Sequence, residues 1–350
     1  MLEKLSAIKR LITVKRALFI CLVLVIIILW VLFNKTSNIS KNPRGRFGPL
    51  TPPQPVHQSS QNRPSEIKSS IPEKPSLPQE ISVFRQRAVN ISKERAGEIA
   101  TALGIQSQPK DYTNALVFRQ DEKILTINIK GKSISYSEPL PEYLYNLNQQ
   151  SLEEYALLLV RQIMSESIIW ENPVLHTQYL TTLGIHESQP AIQSSADAAI
   201  VDLFPVLDGI KIIGPLDPFG YIGMATVSFS KKDRSVGLRT AETGIDFAEK
   251  GIYPLQSLAT ATQELAGGKA LNIIAIPVSQ LYVKGAYGQI VDPVNADFMD
   301  VELVYYSDPN PESFIQPMYL FSGNVTLKDD TSATVKAILP AIDPQYLKSP

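Results

Sequence analysis

The 350-residue chain is short of the residues that most often carry catalytic or metal chemistry. Its one cysteine, Cys21, lies inside an apolar run, so the rest of the chain has no disulfide and no thiol ligand. Its three histidines, His57, His176 and His186, form no closely spaced pair, and the sequence contains neither G-x-S-x-G nor H-E-x-x-H. These absences argue against thiol, serine-hydrolase and zinc-peptidase chemistry.

The chain also lacks an excess of either charge, since its formal net charge is -1. Proteins that bind nucleic acid usually present a basic field that neutralises phosphates. We therefore expect no nucleic-acid partner. The tripeptide Gly267-Gly268-Lys269 lacks the upstream glycine and the following Ser or Thr of a phosphate loop, and we expect no cofactor.

The longest apolar run extends from Ala17 to Phe33 and contains no charged residue. As a helix it would span about 25 Å, close to the thickness of a bilayer core. Residues 1–16 are basic, which favours a cytoplasmic N-terminus, and residues 34–37 do not provide a signal-peptidase site. The sequence therefore predicts a cytoplasmic tail at 1–16, a single transmembrane helix at 17–33, and an extracytoplasmic remainder of the chain.

Residues 34–82 are polar and rich in proline. Nine prolines lie between Lys41 and Glu80, with almost no apolar periodicity. Such a segment buries too little surface to offset the entropy lost on ordering. The sequence predicts a disordered linker that holds the following domain away from the membrane.

Beyond residue 82 the patterns indicate an α+β protein. Ser92 is a suitable cap for a helix that ends at Gly104, and alternating strands follow, which together define a first unit at 83–146. Ser151 and Glu154 form a capping-box pattern that begins a helical connector at 147–199.

Residues 200–343 form a second predicted unit, mostly of strands with one helix. Tyr253-Pro254 is expected to open this helix and Gly267-Gly268 to close it, because proline favours the first helical turn and glycine the stop. The overall prediction is two helix-on-antiparallel-sheet units joined by a helical segment.

The segments Gln316–Gly323 and Ala337–Ile342, together with the helix predicted at Tyr253–Gly268, resemble the second unit of YycH/YycI-type proteins and related PepSY-like domains. The resemblance covers residues 200–343. It implies an N-terminal anchor, an outer pair of helix-on-sheet units, and a non-enzymatic role that contacts or restrains a membrane histidine kinase. The long proline-rich linker departs from that family.

The same unit contains the candidate binding surface, made of Tyr253, Pro254, Tyr305, Gln316 and Tyr319. Aromatic side chains on strands can line a recognition groove, although they more often pack in the core or across strands. Both interpretations stay open at this point.

Four acids, Asp292, Asp297, Asp300 and Glu302, crowd residues 292–302. Oxygen ligands gathered in one place suit calcium, but this spacing does not follow the EF-hand pattern. A solvated loop is the favoured interpretation, and convergence of the carboxylates would distinguish the two.

We expect from these features an anchored extracytoplasmic binding or regulatory module that contacts another envelope protein, in an envelope signalling system, with no catalytic residue and no metal. The alternative is a membrane-tethered wall hydrolase or wall-binding protein, whose paired carboxylates could come from distant positions. Nothing in the sequence indicates the oligomeric state.

Overall fold

A computed structural model of the chain describes residues 44–53, 64–71, 77–87, 91–129, 133–164, 168–182, 187–214, 216–217, 220–221, 223–241, 244–270, 272–277, 282–283, 293–308, 313–328, 330 and 332–348. The chain divides into two units, residues 1–46 and 47–350, and the description of the first is limited to residues 44–46.

The described part of the second unit contains three α-helices and twenty-one strands. The helices are α1 Lys93–Ala102, α2 Gln149–Ile163 and α3 Leu258–Ala266. The strands are β1 Glu66–Ser69, β2 Glu80–Arg87, β3 Lys110–Tyr112, β4 Ala115–Gln120, β5 Lys123–Asn128, β6 Ser133–Pro139, β7 Val174–Thr182, β8 Glu187–Pro190, β9 Ala198–Phe204, β10 Val206–Leu207, β11 Ile210–Ile213, β12 Leu216–Asp217, β13 Gly220–Tyr221, β14 Ala225–Ser230, β15 Ser235–Ala241, β16 Gly244–Pro254, β17 Asn272–Pro277, β18 Tyr282–Val283, β19 Pro293–Tyr306, β20 Phe314–Leu327 and β21 Ser332–Pro340.

The first sheet has ten antiparallel strands in the order β18-β8-β7-β9-β14-β15-β6-β5-β4-β3. Helix α2 packs over β7 and β9, and α1 packs against α2 and β4, so both helices lie on one face. Apolar residues from this face, from the two helices and from the adjoining second sheet form the largest core cluster. In β4, β5, β6 and β14, every second side chain is buried in this cluster, which explains the alternation of apolar and polar residues in their sequences.

Helix α1 confirms the sequence prediction in detail. The Ser92 hydroxyl accepts a hydrogen bond from the Arg95 backbone N–H at 3.1 Å, and Ala96, Ile99 and Ala100 are the buried positions. Gly104 lies just past the helix with φ of +74°, a backbone conformation that favours glycine.

Helix α2 begins and ends differently from the prediction. Its cap is Asn148, whose side-chain oxygen accepts from the Ser151 N–H at 3.2 Å, so Ser151 already lies in the first turn. The helix ends at Ile163, and β7 and β8 occupy the second half of the predicted helical connector. Strand β7 pairs along its length with β9, and this pairing overrides the local helical pattern.

The second sheet has nine strands and is mixed. The path β10-β11-β19-β20-β2-β16 is joined by β1 on β19, by β21 on β20, and by β17 on the other edge of β21. Strands β19 and β20 are each 14 residues long, and β1 and β11 run parallel to β19 at its two ends.

The predicted fold class is wrong. The described chain is dominated by strands in two large sheets, rather than by two helix-on-sheet units. Strand β2, from the first predicted unit, pairs with β16 and β20, whereas β14 and β15, from the second, lie beside β6 and β9. Periodicity indicates that a strand exists, but it does not indicate which distant strand pairs with it.

The predicted helix start at Tyr253-Pro254 is also wrong, because both residues end β16. Helix α3 begins at Leu258, and its cap is Ser257, whose hydroxyl accepts from the Thr260 N–H at 3.1 Å. Proline fits the first turn of a helix and also an edge strand, and β16 is at one end of the strand path.

Parts of the predicted disordered linker are ordered. Residues 47–53, which we call the strap, run beside the C-terminal residues: the Leu50 N–H donates to the Tyr346 carbonyl and the Lys348 N–H donates to the Leu50 carbonyl, both at 2.8 Å. Strand β1 lies parallel to β19. The apolar residues Leu50 and Ile67 supply the contacts that proline content alone did not reveal.

Within the described residues, no helix has the length and apolar character needed to cross a membrane. The predicted tail at 1–16 and the predicted helix at 17–33 lie outside the described residues. The single-pass architecture and the membrane location predicted from the sequence conflict with the absence of such a helix from the described residues.

Candidate functional site

The predicted binding surface consists mainly of interior side chains. Tyr253, Tyr305, Gln316 and Tyr319 are at most 2% exposed, and Pro254 is half-buried. The Tyr305 hydroxyl donates to the Ser82 carbonyl and the Tyr319 hydroxyl donates to the Gln256 carbonyl, both at 2.8 Å.

Two of these residues hold the strap. The Tyr253 hydroxyl accepts from the Phe47 N–H and donates to the Gly48 carbonyl, both at 3.0 Å. The Gln316 amide donates to the Thr51 carbonyl at 2.7 Å. These polar groups therefore join chain segments to one another, and their side chains do not form an accessible groove.

The acidic stretch does not gather its carboxylates around one point. Asp297 accepts from the Ser70 hydroxyl at 2.9 Å, whereas Glu302 pairs with Lys211 at 2.6 Å; Asp292 lies outside the described residues. In the part of the chain that the structure describes, no three His, Cys, Asp or Glu residues are placed to hold a metal.

Four exposed apolar residues lie in α2, in the segment before it, and in the segment between β8 and β9. We call them the tyrosine patch: Tyr143 (62%), Tyr145 (37%), Leu158 (53%) and Ile192 (71%). Exposed apolar residues that lie together on one surface often mark a binding site.

Buried neighbours direct the two tyrosines outward. The segment that links β6 to α2 forms a short 3₁₀ turn at Glu142–Leu144, and Leu144 and Leu147 are fully buried beneath it. Tyr143 and Tyr145, which flank Leu144 in the chain, consequently face solvent. The alternation of tyrosine and leucine in this segment could have predicted exposed tyrosines, but these tyrosines were not among the predicted site residues.

A ring contact joins Tyr143 to the helix. Its ring lies edge-on to Tyr155 with centroids 6.3 Å apart, and Tyr155 in turn contacts Phe229 at 6.2 Å. Leu158 follows Tyr155 by three residues, and side chains at this spacing lie on the same face of a helix. The aromatic contacts therefore connect exposed Tyr143 to the interior of the first sheet.

Below these rings lies the carboxylate of Glu138, whose side chain is 10% exposed. It accepts hydrogen bonds from the hydroxyls of Tyr155 at 2.6 Å and Tyr136 at 2.9 Å, and Lys123 lies 3.7 Å away. Burial, with a further contribution from Glu138, raises the pKa of Tyr136, Tyr143 and Tyr155. The hydroxyls thus remain protonated donors, and the network fixes the base of the patch.

The patch borders an open depression of about 430 Å³, lined by Asn146, Ile192, Gln193, Ser194 and Lys231. The Lys231 amine is held by the Ala196 carbonyl at 2.8 Å. Residues 138–160 contain four acids and no lysine or arginine, and Glu142 and Glu154 are exposed. The surface therefore combines tyrosine rings with carboxylates on one side and a polar hollow on the other.

No protein-family model matches the chain, and no curated protein matches its sequence. The YycH/YycI-like resemblance of residues 200–343 consequently has no support beyond the short segments that suggested it.

Proposed function

We propose that this protein is a binding module that acts through protein–protein contacts, and that the tyrosine patch is its contact surface. The observation that carries the proposal is the exposure of Tyr143, Tyr145, Leu158 and Ile192, together with the Tyr143–Tyr155 ring contact that leads to Glu138. Tyrosine supplies a large contact area with little side-chain entropy to lose, and it is enriched at the residues that dominate binding energy.

The support from Glu138 makes the patch suitable for recognition. A tyrosine whose neighbours are already fixed by hydrogen bonds and ring contacts loses less freedom when a partner binds. The 430 Å³ hollow beside it offers space for one protruding side chain.

The charge pattern favours a partner that brings lysine or arginine. Exposed Glu142 precedes Tyr143 in the chain and exposed Glu154 precedes its ring partner Tyr155, and a cation can contact both a carboxylate and a tyrosine ring. We expect binding that weakens as salt screens these charges.

Affinity capture with matched variants tests the proposal. The immobilised wild-type chain, a Tyr143→Ser/Leu158→Ser variant, and a Tyr112→Ser control are exposed to the same extract. Tyr112 is also exposed, at 47%, but it lies on β3 at the far edge of the first sheet.

The proposal predicts a specific protein, retained by the wild type and the control and lost from the patch variant, that elutes with salt. Equal retention by all three chains, or retention of glycan without protein, would contradict it.

A further inference from the structure

Five ionisable residues meet where the two sheets pack against each other. Two come from the first sheet, on β7 and β9, and three come from the second, on β11, β19 and β21. We call them the seam cluster: His176, Asp202, Lys211, Glu302 and Lys336.

Asp202 is the innermost member, with 6% of its surface exposed. On one side it lies opposite His176 of β7, and on the other it lies opposite Thr226 of β14, whose hydroxyl donates to the carboxylate at 2.7 Å. The backbone N–H of Gly223 donates a second hydrogen bond. A Cβ at Gly223 would stand 2.8 Å from the carbonyl oxygens of Ala225 and Leu203, so the chain approaches the carboxylate there as only glycine allows.

The geometry of the surrounding core brings Lys336 to the same place. Phe204 follows Asp202 by two residues on the same strand face, and Ile338 follows Lys336 in the same way. Phe204 and Ile338 belong to one apolar cluster with Val304. Asp202 and Lys336 thus each precede a member of this cluster by two residues, and each is an electrostatic neighbour of the other.

Lys211 and Glu302 complete the seam cluster with an ion pair of 2.6 Å. The Lys211 amine also lies 5.3 Å from the centre of the Phe204 ring. The electrostatic neighbours of His176 are Asp202, Lys336 and Lys211, and those of Lys336 are Lys211, Glu302 and Asp202.

Removal from water opposes charge on three members. Burial raises the pKa of Asp202 despite hydrogen bonds and neighbouring cations that act to lower it. Burial lowers the pKa of His176; Asp202 opposes this shift, whereas Lys336 and Lys211 add to it, and the residue is still exposed. Burial and Lys211 together lower the pKa of Lys336 to about 8.

We propose that the contact between the two sheets is proton-linked at the seam cluster, and that it is tightest when His176 and Lys336 carry no charge. Protonation of either residue adds a cation near Lys211, and at half-buried Lys336 the added charge is also partly removed from water. Protonation of Asp202 has the opposite effect on the contact, because it removes a desolvated anion. His176 and Lys336 are therefore each changed in a variant that keeps Asp202.

Hydrogen exchange of the full-length chain at pH 6, 7.5 and 9, corrected for the intrinsic exchange rate, tests the proposal. In the wild type, amides of residues 200–204 and 334–338 should gain several-fold protection as the pH rises. His176→Gln should remove the gain between pH 6 and 7.5, and Lys336→Met should remove the gain between pH 7.5 and 9.

Two controls separate the seam from global stability. Lys232→Met, on an exposed turn, should keep the wild-type pH dependence. Amides of β5 should not change, because this strand lies far along the first sheet from β9. Wild-type pH dependence in both seam variants, or equal changes in β5 and the seam, would overturn the proposal.

Discussion

The hydroxyl group of Tyr155 donates a 2.6 Å hydrogen bond to the carboxylate of Glu138, which is 10% exposed, and the Tyr155 ring also contacts the exposed ring of Tyr143. This contact connects the surface of the tyrosine patch to the core of the first sheet. We expect the buried side of this contact, Glu138, to govern stability, and the exposed side, Tyr143, to govern binding.

Glu138→Gln should destabilise the fold by about 1–3 kcal/mol, because two buried tyrosine hydroxyls lose a charged acceptor. The matched control is Glu142→Gln, four residues further on and exposed, which should change stability by less than about 0.5 kcal/mol. Urea unfolding of both variants measures the difference. Similar values for the two would show that the Glu138 network is energetically unimportant.

Leu50→Ala tests whether the strap belongs to the folded domain. Leu50 is 1% exposed and packs with Val83, Tyr253 and Ile342, so the lost contacts and the cavity should cost about 2–4 kcal/mol. Leu158→Ala removes the same atoms from an exposed position and should have almost no effect on unfolding. A strap that behaves as a free linker would give equal stability for Leu50→Ala and the wild type.

Gly323→Ala should be strongly destabilising, by about 2 kcal/mol or more, because an added Cβ would stand 2.0 Å from the Asp297 carbonyl oxygen. Gly97→Ala is the contrasting change. It lies within α1 with nothing within 4 Å of the new atom, and alanine should stabilise the helix by up to about 1 kcal/mol. Thermal unfolding should therefore shift in opposite directions for the two variants.

Asp202→Asn should change how stability depends on pH. A raised pKa means that the folded state binds the proton more tightly than the unfolded state, so the contribution of Asp202 to stability falls as pH rises from the ordinary value of 3.8 through the folded value. The asparagine variant lacks this loss. The free energy of unfolding of the asparagine variant, minus that of the wild type, should therefore be larger at pH 7 than at pH 4. A smaller difference at pH 7 would contradict the raised pKa of Asp202.

Lys336→Met should have an effect of the opposite sign at higher pH. Because the folded pKa of about 8 lies below the ordinary 10.5, the unfolded chain binds more protons between these values, and wild-type stability should rise with pH across that interval. The methionine variant should lack this rise. Unfolding midpoints measured from pH 7.5 to 10 test the difference, and parallel curves for the two chains would contradict it.

Local features of the fold could be predicted from the sequence where short-range chemistry determines them. Helix α1 lies between Ser92 and Gly104 as predicted, and apolar residues that alternate with polar ones, such as Leu125 and Ile127, lie in strands. Strand pairing could not be predicted, because residues 80–87 and 314–315 are far apart in sequence and meet only in the assembled sheet. Tyr253-Pro254 is compatible with the first turn of a helix and with an edge strand. Pairing with β2, which is distant in sequence, places it in a strand.

The tyrosine patch could be predicted only in part. The aromatic residues of the 143–145 segment are visible in the sequence, but their exposure depends on the burial of Leu144 and Leu147 against distant elements. The seam cluster depends even more on tertiary structure, since its five residues come from five strands. Nothing in their sequence spacing indicates that they meet.

Site-specific photo-crosslinking tests the proposed function most directly. A photoreactive phenylalanine analogue replaces Tyr143 in one chain and Tyr112 in a second chain, which serves as the control, and both are irradiated in the native extract. We expect a single protein adduct from position 143 that disappears when Tyr145→Ser and Leu158→Ser are added, with no corresponding adduct from position 112. Absence of a protein adduct at position 143, or identical adducts from both positions, would contradict it.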